Sequence, residues 1–180
     1  ISEPVQWTGL IIMDRDGTVN PALKDVRVRQ AINYAIDRKI IAKALLGNYA
    51  DPTVQLQGKG FMGYDAANEA RYPVDIPKAK ALLAAAGYPN GFELKLAYVN
   101  NTLSSVMSQV LAGQLKKVGI TAKLNELQNF GALIAAGRAK SYDALLFNSN
   151  SGVPNLARFQ TLAPKGSLNV FGTEDATLTK

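Results

Sequence analysis

Asp14 and Asp16 stand two residues apart, directly after the apolar run Leu10 to Met13, where a carboxylate pair could either do chemistry or bind its own backbone. In a turn of the type Asp14-Arg15-Asp16-Gly17, Asp side chains accept hydrogen bonds from the following amides and Gly supplies positive φ. The rest of the reactive inventory is narrow. The 180 residues contain no His and no Cys. That excludes a Ser-His-Asp triad, a Cys-His pair, a His general base, a thiolate nucleophile, a disulfide and every metal site built on His or Cys. Gly58-Lys59-Gly60-Phe61-Met62-Gly63 has the spacing of a dinucleotide fingerprint. Such a loop cradles a pyrophosphate only between a strand and a helix N-terminus. Here it follows Pro52 to Gln57 with no apolar strand leading into it, so no cofactor is expected.

The elements that must position these residues follow from periodicity. Leu10 to Met13 predicts a strand entering the Asp14 turn. Asp25 stands at an N-cap position before Val28, Ile32, Ala35 and Ile36 at helical spacing, and Asp37 caps a second helix, Arg38 to Leu46, closed by Gly47. Asn48 to Pro73 has no sustained period and reads as a long connection, a kind of segment that usually has a function. Asp75 and Pro77 open a helix, Ile76 to Ala86, and Phe92, Leu94, Leu96 and Tyr98 alternate as a strand up to Val99. Leu103, Val106, Met107, Val110, Leu111, Leu115 and Val118 predict one apolar stripe on a helix from Thr102 to Val118. A strand at Ile120 to Leu127, a short helix at Phe130 to Gly137, a strand at Ala144 to Phe147 and a polar loop at Asn148 to Asn155 complete the order. Strands alternating with helices predict an α/β sheet with helices on both faces.

Hydrophobic residues make up 47% of the chain, enough for one core and hence one domain. The 20 Lys and Arg against 14 Asp and Glu give a charge of +6, but no basic run exceeds two residues, as at Lys116 and Lys117. The charge therefore reads as a solvated surface, not a nucleic-acid site. The longest apolar stretch, Ala81 to Ala86, falls far short of the roughly 20 residues of a membrane helix. Ile1 to Gly9, with Glu3, Pro4 and Trp7, does not read as a signal sequence.

Ile11 to Val19 resembles the first motif of the haloacid-dehalogenase-like phosphatases. The resemblance implies Asp14 as nucleophile, Asp16 as acid/base and a magnesium ion between them. Such a site also needs a later Lys and an acidic pair, whereas the corresponding downstream strand ends in Asn148-Ser149-Asn150-Ser151. A wider match lies in Lys24-Asp25-Val26-Arg27-Val28-Arg29-Gln30-Ala31-Ile32-Asn33-Tyr34-Ala35-Ile36-Asp37-Arg38, which resembles the hallmark segment of the family 5 extracellular solute-binding proteins, the peptide/nickel group of ABC importers. Further blocks resemble that family in order: Gly63-Tyr64-Asp65, Tyr72-Pro73 to Asp75, Ala86-Gly87-Tyr88-Pro89-Asn90-Gly91-Phe92, Gln114-Leu115 to Ile120, and Tyr142-Asp143 to Phe147. Several ordered blocks over roughly residues 10 to 175 outweigh one short motif.

The resemblance implies a periplasmic-binding-protein-like lobe with a mixed sheet and helices on both faces. It further implies that residues 1–180 form a single ligand-binding lobe, the second of a longer two-lobed protein, with its signal peptide or lipid anchor outside this chain. Residues 156–180 are then expected to be irregular. The protein would work as a monomer in the periplasm or outside the cell, trapping a small-molecule or peptide-like ligand between its lobes and passing it to an ABC transporter permease. It would reach the membrane only through the anchor and need neither metal nor cofactor. Peptide-binding relatives carry a Trp at the last strand's end and, three residues later, an Asp that pairs with the peptide's α-ammonium group. Phe147 and Asn150 occupy those positions. The candidate site is Phe147, Asn148, Ser149, Asn150 and Ser151, a neutral loop suited to a sugar, amide or hydroxylated ligand better than to a cation. The alternative remains a magnesium-dependent phosphatase using Asp14 and Asp16.

Overall fold

Four strands and five helices form the framework of the described residues. The computed structural model describes residues 6–55, 59–60, 64–150, 166 and 169. In chain order these elements are β1 (Gln6–Ile12), α1 (Val26–Ala35), α2 (Arg38–Leu46), α3 (Ile76–Ala85), β2 (Glu93–Val99), α4 (Thr102–Lys116), β3 (Thr121–Leu127), α5 (Phe130–Arg138) and β4 (Ala144–Asn150). Short 3-10 turns at Pro21–Lys24, Gly47–Tyr49 and Ala66–Asn68 punctuate the connections.

The caps expected from sequence form. Asp25 accepts from the Arg27 amide at 2.8 Å, Asp37 from Ile40 at 3.0 Å and Asp75 from Lys78 at 2.8 Å. Each satisfies an amide that has no partner within its helix, which fixes where the helix begins.

The sheet runs β1-β4-β2-β3. β4 pairs antiparallel with β1 and parallel with β2, and β2 pairs parallel with β3. It is a mixed sheet, and both faces are covered. Leu94, Leu96 and Tyr98 of β2 and Ala144 and Leu146 of β4 join the larger apolar cluster with residues of α1, α3 and α4. The opposite face packs Ala97 and Leu145 with Met13, Leu133 of α5 and Tyr142. Alternation along each strand thus feeds two cores, and the α/β architecture expected from sequence is present.

Three local expectations are corrected. β1 is not confined to Leu10 to Met13: it starts at Gln6 and ends at Ile12, because its length is set by pairing with β4 from Gln6↔Asn150 to Ile12↔Ala144. By the same pairing β4 does not stop at Phe147, so the backbone of Asn148 to Asn150 is strand and not loop. The buried face of α4 is rotated from the expected stripe. It carries Ser104, Ser108, Leu111, Gln114 and Leu115, while Val106 is 41% exposed. Gln114 is drawn inward by a partner elsewhere, accepting from the Asp37 amide at 2.8 Å and donating to the Asp37 carbonyl at 3.3 Å, while Ser104 and Ser108 meet their hydrogen bonds locally, with Asn101 at the N-cap and the Ser105 carbonyl. The stretch expected to be irregular, 156–180, lies outside the described residues apart from Gly166 and Asn169.

Candidate functional site

The chemistry-bearing residues divide between the two ends of the sheet. Because β2, β3 and β4 run parallel and β1 runs against them, the Asp14 turn lies at the amino ends of β2 and β4. The segment from Phe147 onward runs to the carboxyl end. A seven-residue strand separates those ends by about 20 Å, so Asp14 and the Asn148 segment belong to different sites.

At the amino end Asp14 is fully buried, and its carboxylate accepts four hydrogen bonds from its own turn. Oδ1 takes the Thr18 amide at 2.8 Å and hydroxyl at 2.9 Å, and Oδ2 takes the amides of Val19 at 2.8 Å and Asn20 at 2.7 Å. Burial pushes the carboxyl up, but these donors together outweigh it and hold Asp14 below its usual value. Asn20 extends the network, its amide group donating to Asp143 Oδ2 at 2.8 Å and to the Glu93 carbonyl at 2.9 Å. Asp143 also accepts from the Lys95 amide at 3.0 Å, and its Oδ1 is buried without a partner. Asp16 is exposed. Among the described residues no group of three or more His, Cys, Asp or Glu is placed to hold a metal ion. A carboxylate saturated by its own turn is a structural anchor; its lone pairs are committed before any substrate arrives.

At the carboxyl end the candidate residues are only partly brought together. Phe147 packs half-buried against the α5-side cluster, so Asn148, its neighbour in the strand, points to the opposite face. On that face Asn148 stands across from Thr8 of β1, and two residues before it Leu146 pairs with Tyr98. Tyr98 donates to Glu126 Oε2 at 3.0 Å, and burial together with that bond raises its phenol above the ordinary value. The Asn148 Oδ1 atom is buried and has no hydrogen-bond partner. A buried acceptor left unmet is costly unless something else supplies a donor. Ser149 and Asn150 hold the last register positions of β4, opposite Trp7 and Gln6. Ser151 and the remainder of the expected loop lie outside the described residues, as do Gly58 and Phe61 to Gly63 of the glycine-spaced segment; Lys59 and Gly60 form a turn.

Sequence reasoning missed the contribution of β1 to this end. Trp7, Thr8 and Gly9 lie directly across from Ser149, Asn148 and Phe147. The indole Nε1 of Trp7 donates to the Gln55 carbonyl at 3.3 Å, which ties the long connection to the same edge. Gln55 is itself braced: its side chain donates to Glu69 Oε1 at 2.7 Å and to the Asp65 carbonyl at 2.9 Å, and accepts from the Asp65 amide at 3.0 Å. A lone Trp in a polar strand was the available signal, but its partner strand is remote in sequence.

Residues 1–166 match the family model described as bacterial extracellular solute-binding proteins, family 5 Middle. The glutathione-binding protein GsiB of Escherichia coli (strain K12) is 34% identical over 120 residues, covering 64% of this chain and 23% of that protein. Among solved structures, AgaA from A. tumefaciens R10, in complex with agropinic acid, superposes with a TM-score of 0.80 at 27% identity over 98% of this chain and 36% of that one. The substrate-binding protein CtaP from Listeria monocytogenes gives a TM-score of 0.81 at 25% identity, with 99% and 36% covered. The chain therefore spans roughly a quarter to a third of the length of these relatives.

Proposed function

The chain belongs to the bacterial extracellular solute-binding proteins, family 5, and on that premise we propose that it forms one ligand-binding lobe of the extracytoplasmic solute-binding component of an ABC importer. In this reading a small polar solute, whether peptide-like, a sugar or another hydroxylated compound, is captured between this lobe and a second one and handed to the permease. The role is one of binding, with no catalytic group in the lobe, and it is carried out in the periplasm or outside the cell, with any membrane anchor outside this chain. The observation that carries the reading is the family match over residues 1–166.

The site proposed is the carboxyl end of β4, Phe147, Asn148, Ser149, Asn150 and Ser151, where α/β sheets gather their ligands. The unmet Oδ1 of Asn148 supports it, because a ligand N–H or O–H would satisfy an acceptor that the described residues leave bare. Phe147 contributes apolar surface. The segment from Asn148 to Asn155 has no acidic residue, so it offers no counter-charge to an ammonium group, and a buried unpaired charge costs several kcal/mol. The ligand is accordingly neutral where it meets β4.

Isothermal titration of the intact protein with glutathione, agropinic acid and trialanine, alongside mass spectrometry of any compound that co-purifies, tests this. Binding of a small solute is the expected result, and Asn150→Asp should weaken it by about 1 to 3 kcal/mol, since a carboxylate loses the amide's donors and brings an uncompensated charge. Failure of every probe, with nothing co-purifying, overturns the reading. Tight binding of trialanine that Asn150→Asp leaves unchanged moves the anchor elsewhere.

A further inference from the structure

Residues 7 and 9 of β1 share the α5 face of the sheet, and what stands at position 9 is a glycine. A Cβ built there would overlap the six-membered ring of Trp7. The indole thus lies across Gly9 and fills the place where a residue 9 side chain would stand, directly opposite Phe147. Any side chain at position 9 would push the ring off the strand.

From this geometry we infer that Trp7 is the second aromatic wall of the ligand site proposed above, paired with Phe147 and seated by Gly9, and that it selects ligands carrying a planar apolar group. The inference rests on that functional reading. Three features carry it. Trp7 is half-buried and belongs to neither apolar cluster of the described residues, so its ring is not consumed by the core. Its single donor is spent on Gln55, which leaves the ring to offer carbon surface and a π face. Gln55 is held in turn through Asp65 and Glu69, and Glu69 also accepts from Thr53 at 2.6 Å, so the indole is fixed before a ligand arrives. A prefixed aromatic surface binds with little further loss of side-chain freedom.

The test uses the intact protein and two capped, uncharged peptides, Ac-Ser-Phe-Ser-NH2 and Ac-Ser-Ala-Ser-NH2. Wild type should prefer the Phe peptide about tenfold, an aromatic contact's usual worth. That preference should fall to within about twofold in Trp7→Ala and Gly9→Val and survive in Trp7→Phe, with thermal melts confirming folded variants. As a check independent of the disruptive variants, 5-fluorotryptophan labelling assigns Trp7 as the 19F line lost in Trp7→Phe; in wild type that line should shift on adding the Phe peptide. An unmoved line, or equal preference in wild type and Trp7→Ala, overturns the inference. If glutathione or agropinic acid binds while wild type shows no Phe preference, the inference fails and the functional reading stands. If no compound binds at all, both fail.

Discussion

Burial alone would raise the carboxyl of Asp14 above 3.8, yet the donors of Thr18, Val19 and Asn20 reverse that and hold it lower. A carboxyl whose folded value lies below its unfolded one stabilises the fold above the unfolded value, and the contribution disappears as pH falls through the folded value. Asp14→Asn should therefore cost about 3 kcal/mol at neutral pH, from lost charge-assisted hydrogen bonds and stranded amides. The gap from wild type should narrow below pH 3.8 as the native carboxyl itself protonates. Urea unfolding of both proteins across that range checks it, and a gap that stays constant with pH refutes it. The same variant addresses the phosphatase alternative: wild type is expected to show no magnesium-dependent hydrolysis of p-nitrophenyl phosphate, and activity lost in Asp14→Asn would restore that alternative. The sequence shows Asp14 and Asp16 but not their orientation, since the four donors that occupy Asp14 become visible only when the turn is closed.

Among the elements, the joint between α1 and α2 is fastened from a distance. Gln114 of α4 brackets Asp37 by accepting from its amide and donating to its carbonyl, and it is only 7% exposed. Gln114→Leu keeps the volume but leaves both backbone groups unmet, at an expected cost of about 2 kcal/mol. The Asp37 amide should then exchange with solvent much faster, and unchanged exchange would show that the joint holds without Gln114. What the sequence reveals about elements divides along the same line. Asp25, Asp37 and Asp75 announce helix starts because a cap bonds an amide two or three residues away, and β2 announces itself by alternation. The inward turn of Gln114 is illegible, because the backbone groups that draw it in belong to Asp37, 77 residues away. The polar halves of β1 and β4 hide for the same reason: each is a strand because of the other. The candidate site suffered most from this, since Trp7, Thr8 and Gly9 join it through that pairing alone.

At the scale of the whole molecule, the two faces of the sheet are unequally supported by the described residues. α1, α3 and α4 pack on the larger apolar cluster, while α5 is held mainly through Leu133 against Met13, Ala97, Tyr142 and Leu145. Tyr142 is buried deeply enough that its phenol is pushed up to about 12, and its hydroxyl donates to the Leu133 carbonyl at 3.3 Å. Native-state hydrogen exchange should accordingly show α5 opening as a separate unit at lower free energy than α1 and α3. Leu133→Ala should lower that opening energy by about 2 to 5 kcal/mol while the slowest amides of α1 and α3 keep their ranking above it. A single exchange energy for all the helices would refute this. The order β1-β4-β2-β3 has a further consequence, which belongs to biosynthesis. β1 leaves the ribosome ahead of every other strand in this sheet, yet its only bonded neighbour in that sheet, β4, is the last of the four to be made. Throughout translation of the elements between them, the tryptophan-bearing strand lacks its partner in this sheet. Protection of that strand until β4 emerges becomes the task of whatever attends the chain outside the exit tunnel.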